Sequence, residues 1–162
     1  LETVRRKMEL IRNDPTSPDT RLADYLLDLN PAATDALTNL ALGGYFAGRI
    51  WTLHSRFRYF DPVKRRAGLP EDVGALVEKL SADSATLVLV NVNAVEPREV
   101  LVQAGGYGEH RFLEAAAGGQ TLPLNGAALQ VKIEPGCGAR IQFKMSRYAN
   151  PPTLRRPWDR AN

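Results

Sequence analysis

Apolar and polar residues alternate in short runs through the second half of the chain, and turn residues separate the runs. Ser84 to Asn93 reads Ser-Ala-Thr-Leu-Val-Leu-Val-Asn-Val-Asn, and a turn at Ala94-Val-Glu-Pro97 follows at once. Val100, Val102 and Ala104 then alternate with Glu99, Leu101 and Gln103, and Leu129, Val131 and Ile133 with Gln130, Lys132 and Glu134. Beyond Pro135-Gly-Cys-Gly138, Ile141, Phe143 and Met145 alternate with Gln142 and Lys144. A period of two over consecutive runs turns one side of each run toward a core, and predicts a small antiparallel β-sandwich or barrel. Between these runs, Gly105-Gly-Tyr-Gly108 predicts a hairpin loop and Glu109 to Leu113 a short strand. Ala115 to Gly119 predicts a break. Asn125-Gly126 predicts a hairpin turn, because both residues tolerate positive φ.

The preceding residues follow a different period. Leu1, Val4, Met8 and Ile11 share one helical face, and Asn13-Asp-Pro-Thr-Ser-Pro18 stops that helix because proline lacks an amide donor. A second helix is expected over 19–29 with Leu22, Tyr25, Leu26 and Leu29 on its stripe. A third begins at Asn30-Pro31, carries Ala33, Leu37, Leu40 and Ala41, and ends at Gly43-Gly44. Residues 51–60 alternate again: Leu53, Ser55, Phe57 and Tyr59 make a greasy face, and His54, Arg56 and Arg58 a basic one. A last helix is expected from Pro70 to Leu80, with Val73, Leu76, Val77 and Leu80 buried and Glu71 and Asp72 near its positive end. The fold class is therefore α+β, an N-terminal helical segment followed by a small antiparallel β-sandwich. Residues 1–50 read as part of a larger helical domain, 51–83 as a connecting strand and helix, and 84–148 as the sandwich. Residues 149–162 form a proline-rich tail that Trp158 anchors by packing on a neighbouring surface.

Composition changes this picture little. The chain has 162 residues, a formal charge of +3 and 44% apolar residues, enough for one core. A pI near 9.2 is too mildly basic to argue for nucleic acid by itself. The single cysteine, Cys137, excludes an intrachain disulfide and a cysteine-only metal site, and in its Pro-Gly-Cys-Gly turn it reads as incidental. No apolar run is long enough to cross a membrane, and no signal peptide is visible. The first residue falls in mid-pattern and is not methionine, so the expectation is either a processed or trimmed start or a piece of something longer. The compartment stays open between cytoplasmic and extracytoplasmic.

Candidate chemistry concentrates in the basic aromatic run. Trp51, His54, Arg56, Arg58 and Tyr59, continued by Lys64-Arg65-Arg66 and joined by Tyr107, suit an anion, sugar or single-stranded nucleic-acid surface. The competing reading is a strand whose polar face meets water or an acidic neighbour. His54 and His110 are the only histidines, and they lack HxH, HExxH or CxxC spacing, so no metal or other cofactor is expected. Acid–base chemistry would need His54 with Asp61, or His110 with Glu109. The serines lack a nucleophile-elbow context, and Gly105–Gly108 lacks the strand-to-helix setting of a phosphate loop.

From Ser84 onward the chain resembles a family of modules. A strand ending Leu-Val-Asn-Val-Asn93, a turn with Glu96-Pro97-Arg98, a returning Glu99-Val-Leu-Val-Gln103 and a late Val131-Lys-Ile-Glu-Pro-Gly136 are similar to C-terminal β-sandwich modules of carbohydrate-active enzymes. The preceding helices resemble the last hairpins of an (α/α) toroid. The resemblance implies a non-catalytic C-terminal or small-chain part that braces a helical catalytic domain. Its partner would be another polypeptide or the remainder of a larger chain, with no membrane and no nucleic acid. The alternative is an independent module binding carbohydrate or a polyanion through Trp51, His54, Arg56, Arg58, Tyr59, Tyr107 and His110. A small enzyme using the two histidines is the third reading.

Overall fold

Strand residues of β-branched and aromatic type pair here into two antiparallel sheets. The computed structural model describes residues 2–17, 19 and 56–159, and the chain divides into two units, 1–36 and 37–162. In the first unit, α1 spans Glu2–Arg12, with Glu2 in its first turn and Arg12 in its last, each favourable to the helix dipole. It ends where expected: the Asn13 amide closes on Glu9, and the Asp14 carboxylate accepts from Thr16 ahead of the proline stop. The expected helices over 19–29 and 30–44 lie outside the described residues, apart from Asp19.

In the second unit, one sheet has the order β2-β1-β5-β8, from Arg66–Ala67, Phe57–Asp61, Arg98–Ala104 and Ala128–Ile133. The other has the order β3-β4-β9-β6-β7, from Val73–Leu80, Ser84–Asn91, Gly138–Ser146, Arg111–Ala117 and Gln120–Gly126. Phe57, Tyr59, Val100 and Val102 of the first sheet share a core with Leu87, Leu89, Phe112 and Phe143 of the second. Phe112 and Phe143 stack at 4.5 Å, and Phe57 tilts against Phe143 at 5.3 Å. The described residues are therefore mainly β, a two-sheet arrangement consistent with a sandwich, rather than a balanced α+β fold.

Three expectations are corrected. Residues 73–80 form an edge strand, not a helix. Val73, Ala75 and Val77 point inward and alternate with Gly74, Leu76 and Glu78, and the run pairs with β4 from Val73 opposite Asn91 to Leu80 opposite Ala85. The helical stripe needed Leu76 and Leu80 inside, yet both are exposed. Asn125-Gly126 and Gly105–Gly108 are not hairpins either. β7 pairs with β6 and β8 with β5, so both segments carry the chain from one sheet to the other. A hairpin turn falls instead at Gly118-Gly119, between β6 and β7, where both φ values are positive, at 56° and 77°. The sheets also draw on β1 to β3, so among the described residues the β part already includes Phe57–Leu80 ahead of residue 84.

Polar groups join the sheets at one end. Asn91, fully buried at the end of β4, donates through Nδ2 to the carbonyl of Glu96 at 2.8 Å and to those of Ile133 and Glu134 at 3.3 Å each. Its Oδ1 accepts the Asn93 amide at 3.0 Å. The tail folds back over the first sheet: Trp158 meets Phe60 edge-on at 5.7 Å, the anchoring role expected of it. Phe60 lies on the outer side of β1 with Arg58, and this contact explains how an apolar residue on that side stays 1% exposed.

Candidate functional site

Because side chains alternate across a strand, β1 and the residue before it send Arg56, Arg58 and Phe60 to the outer side of the first sheet. Two further segments converge there. The crossing loop Gly105–Glu109 is held from below by Gln103, whose Nε2 donates to the carbonyls of Gly105 at 3.1 Å and Gly106 at 3.2 Å. The Gly105 amide closes on the carbonyl of Arg56 at 2.7 Å. Gly105 has φ 87°, and a methyl group added there would overlap the Glu109 carboxylate. That carboxylate instead accepts the Tyr107 amide at 2.7 Å. The second segment is the strand-to-tail passage Arg147–Thr153, laced to the same loop through Asn150. Asn150 donates from its amide to Glu109 and from Nδ2 to the carbonyls of Gly108 and His110, and it accepts from Arg111. The Thr153 amide adds a bond to the Tyr107 carbonyl at 2.9 Å.

The surface this builds is basic and aromatic. The Arg58 guanidinium lies 5.0 Å from the Phe60 ring centre, and those of Arg65 and Arg156 each lie 5.8 Å from the Trp158 ring. Arg147 covers Tyr148 at 5.1 Å. Tyr107 is 45% exposed between these groups, and its neighbourhood with Arg58 is electrostatic. Partial burial, then the nearby Arg147, lowers the pKa of Arg56, and partial burial with the nearby Arg156 lowers that of Arg58. Five cations elsewhere on the module are matched: Arg66 with Asp61, Arg98 with Asp72 and Glu96, Arg140 with Glu78, Lys64 with Glu71 and Lys132 with Glu134. Among the described residues, Arg56, Arg58, Arg65, Arg147 and Arg156 have no carboxylate within ion-pair distance.

The structure thus brings Arg56, Arg58 and Tyr107 together. It places Tyr59 elsewhere: the ring is fully buried in the core, the hydroxyl lacks a hydrogen-bond partner, and burial pushes its pKa up. Tyr59 is a packing residue there, out of reach of a ligand. Trp51 and His54 lie outside the described residues. His110 is buried beneath Tyr148, ring to ring at 5.0 Å, and its Nδ1 accepts the Tyr148 amide at 3.1 Å. The ring proton therefore sits on Nε2, 3.7 Å from Glu109 Oε1. Burial lowers the His110 pKa, Glu109 opposes that, and Arg147 and Arg56 reinforce it. With its Nδ1 lone pair taken by the Tyr148 amide and the side chain 3% exposed, His110 supports the loop and offers no free base to a substrate. Asp61 likewise faces inward, holding the Val63 and Lys64 amides and Arg66.

Sequence reasoning missed Arg147, Tyr148 and Arg156. The signal was present, since Arg147-Tyr148 and Arg155-Arg156-Pro157-Trp158 repeat the basic aromatic composition of 54–59, but the prolines hid where the tail would lie. A separate cleft of about 520 Å³ is lined by Asp61, Lys64, Glu71, Arg98, Glu99 and Lys132 among others, and most of these charges pair with one another or with immediate neighbours. Among the described residues no three His, Cys, Asp or Glu side chains converge as metal ligands. No helix among them is long and apolar enough to cross a membrane. No protein-family model, curated protein or solved structure matches this chain.

Proposed function

We propose that this chain is a non-catalytic β-sandwich module that binds an anionic ligand on the outer side of the β1 sheet. One observation carries the reading: five arginines gather around Tyr107, Tyr148 and Trp158 and, among the described residues, have no carboxylate within ion-pair distance, while Lys64, Arg66, Arg98, Lys132 and Arg140 elsewhere on the module are paired. Like charges held together disfavour the folded state; partial burial first, and the neighbouring Arg147 and Arg156 after it, lower the pKa values of Arg56 and Arg58. A carboxylate, sulfate or phosphate relieves it, since the guanidinium fork pairs with such groups and the rings supply flat apolar walls. The glycan character of the ligand is carried by the resemblance to carbohydrate-active modules.

The test titrates the chain with a sulfated oligosaccharide, a uronate oligosaccharide and a neutral glucan. Both anionic glycans are expected to bind and the neutral one to fail. Replacing Arg58 or Arg147 by Ala is expected to weaken binding about tenfold, the worth of one charged hydrogen-bonding group. Equal binding of the neutral glucan, or unchanged affinity in the double variant, overturns the reading. Tighter binding of single-stranded DNA than of any glycan, with a steep salt slope, assigns the surface to nucleic acid instead.

A second reading concerns the opposite sheet. Leu76, 60% exposed, sits beside Val88 across the β3–β4 pair, and Val90 and Val92 continue the line past Gly74. Contiguous exposed apolar residues of this kind mark interfaces, which supports a bracing contact with another polypeptide or the rest of a larger chain. Leu76→Lys with Val90→Lys is expected to abolish self-association of the purified chain at unchanged unfolding free energy. Identical sedimentation of variant and parent would remove this reading.

A further inference from the structure

His110 stands between two parts of the molecule that nothing else in the binding reading explains. The loop Gly105–Glu109 comes from the β5–β6 crossing, and the passage Arg147–Thr153 leaves the end of β9. The two meet through the imidazole. Its Nδ1 accepts the Tyr148 amide at 3.1 Å, and the Tyr148 ring closes over it at 85° to its plane. Tyr148 has φ 52°, a left-handed conformation that a tyrosine rarely adopts and that its surroundings must hold in place. Immediately beyond it, Asn150 and Thr153 complete the lacing to Glu109, Gly108 and Tyr107.

We propose that His110 is a pH-operated latch: neutral, it holds the Arg147–Thr153 passage against the loop, and protonated, it releases that passage. The chemistry lies in one lone pair. A proton on Nδ1 turns the acceptor into a donor, so the Tyr148 amide then faces an N–H. The groups around the ring set the balance. Glu109, at 3.7 Å from Nε2, favours the charged ring, whereas burial, Arg147 and Arg56 disfavour it. Arg111 is turned away to the Ala149 carbonyl and Asn150. Opening carries Arg147 and Tyr148 away from Arg56, while the new charge on His110 stays beside Glu109 and is not presented to a ligand. As a regulator of anion binding the latch rests on the function proposed above; as a conformational device it stands alone.

The experiment uses the full chain with no ligand added and measures amide hydrogen exchange by NMR from about pH 7.5 to about pH 5, spanning the ordinary histidine range. Protection factors for the Tyr148, Asn150 and Thr153 amides are expected to fall tenfold or more, while those of Leu87 and Phe143 in the central strands hold. His110→Asn places an amide oxygen where Nδ1 stood and cannot titrate, so its passage is expected to stay protected at both ends of the range. Undiminished protection in the parent, or the same loss in His110→Asn, overturns the latch. If that variant does not fold, the ring nitrogen shifts of the parent still decide, because a proton on Nδ1 at pH 7.5 contradicts the proposal. Ligand plays no part in this readout, so failure of glycan binding and failure of the latch are separate results.

Discussion

Replacing Asn91 by Ala removes the polar joint between the two sheets. The Nδ2 group serves the Glu96 carbonyl at 2.8 Å and shares its remaining capacity between Ile133 and Glu134 at 3.3 Å, and Oδ1 serves the Asn93 amide at 3.0 Å. Counting about 1 kcal/mol for the short bond, about 1 for the shared pair and about 1 for the orphaned Asn93 amide gives a loss of about 3 kcal/mol. The strand bond from the Asn91 amide to the Cys137 carbonyl survives the change, which limits the loss to the side chain. Urea unfolding of the full chain should show a lower midpoint at an unchanged m-value, the sign of altered stability without altered compactness. Asn91→Asp sharpens the test. It keeps the acceptor for Asn93 but turns carboxylate lone pairs toward three carbonyl oxygens, which raises the folded-state pKa of the new acid above its ordinary value near 3.9. A raised folded pKa means that stability is retained at low pH and lost as pH rises through the folded value. The Asp variant should therefore be less stable than the Ala variant at pH 7 and recover on acidification. A loss under about 1 kcal/mol for Ala, or an Asp variant no worse than Ala at neutral pH, would refute the role assigned to Asn91.

Gly105→Ala should lose about 2–4 kcal/mol, since φ 87° suits glycine and the methyl group displaces the Glu109 carboxylate from the Tyr107 amide; Gly74→Ala, with nothing within 4 Å, should stay within about 0.5 kcal/mol. Faster exchange at Tyr107 in the first variant alone is the check. Trp158→Ala should uncover Phe60 and speed proteolytic removal of the tail, at a loss of about 1–3 kcal/mol in thermal unfolding, and an unchanged cleavage rate would argue that the tail packs differently. The lowered His110 pKa predicts that the unfolded chain takes up its proton first. Stability should therefore decline as pH falls below about 6.5, and His110→Asn should flatten that part of the profile.

Much of the β part was legible because alternation is a local property. Val100 and Val102, Ile141 and Phe143, and Phe57 and Tyr59 face the core as their spacing requires. The strand over 73–80 was not, because its apolar residues satisfy a helical stripe and a half-buried strand equally well, and only the partner β4 distinguishes them. Asn125-Gly126 misled for a related reason. A turn signal reports that the chain can reverse, and says nothing about whether the flanking strands pair with each other. Arg56, Arg58 and Tyr107 were found by composition, whereas Tyr59 was included because its place on the greasy side was weighed less than its aromatic character. Arg147, Tyr148 and Arg156 were missed because their proximity to Arg56 and Arg58 depends on a tail that prolines make irregular.

Side-chain period, turn chemistry and the absence of paired cysteines already dictated a disulfide-free chain with inward and outward faces on each strand. Those are short-range consequences of backbone geometry, carried by residues one to four apart. Which strands neighbour one another, which outer side the tail covers, and which arginines end up without acids are settled by contacts between residues as distant as Arg65 and Arg156, whose carbonyl and guanidinium meet at 3.3 Å. Such contacts are chosen by the free energy of the whole packed core, to which a local pattern contributes but which it cannot express.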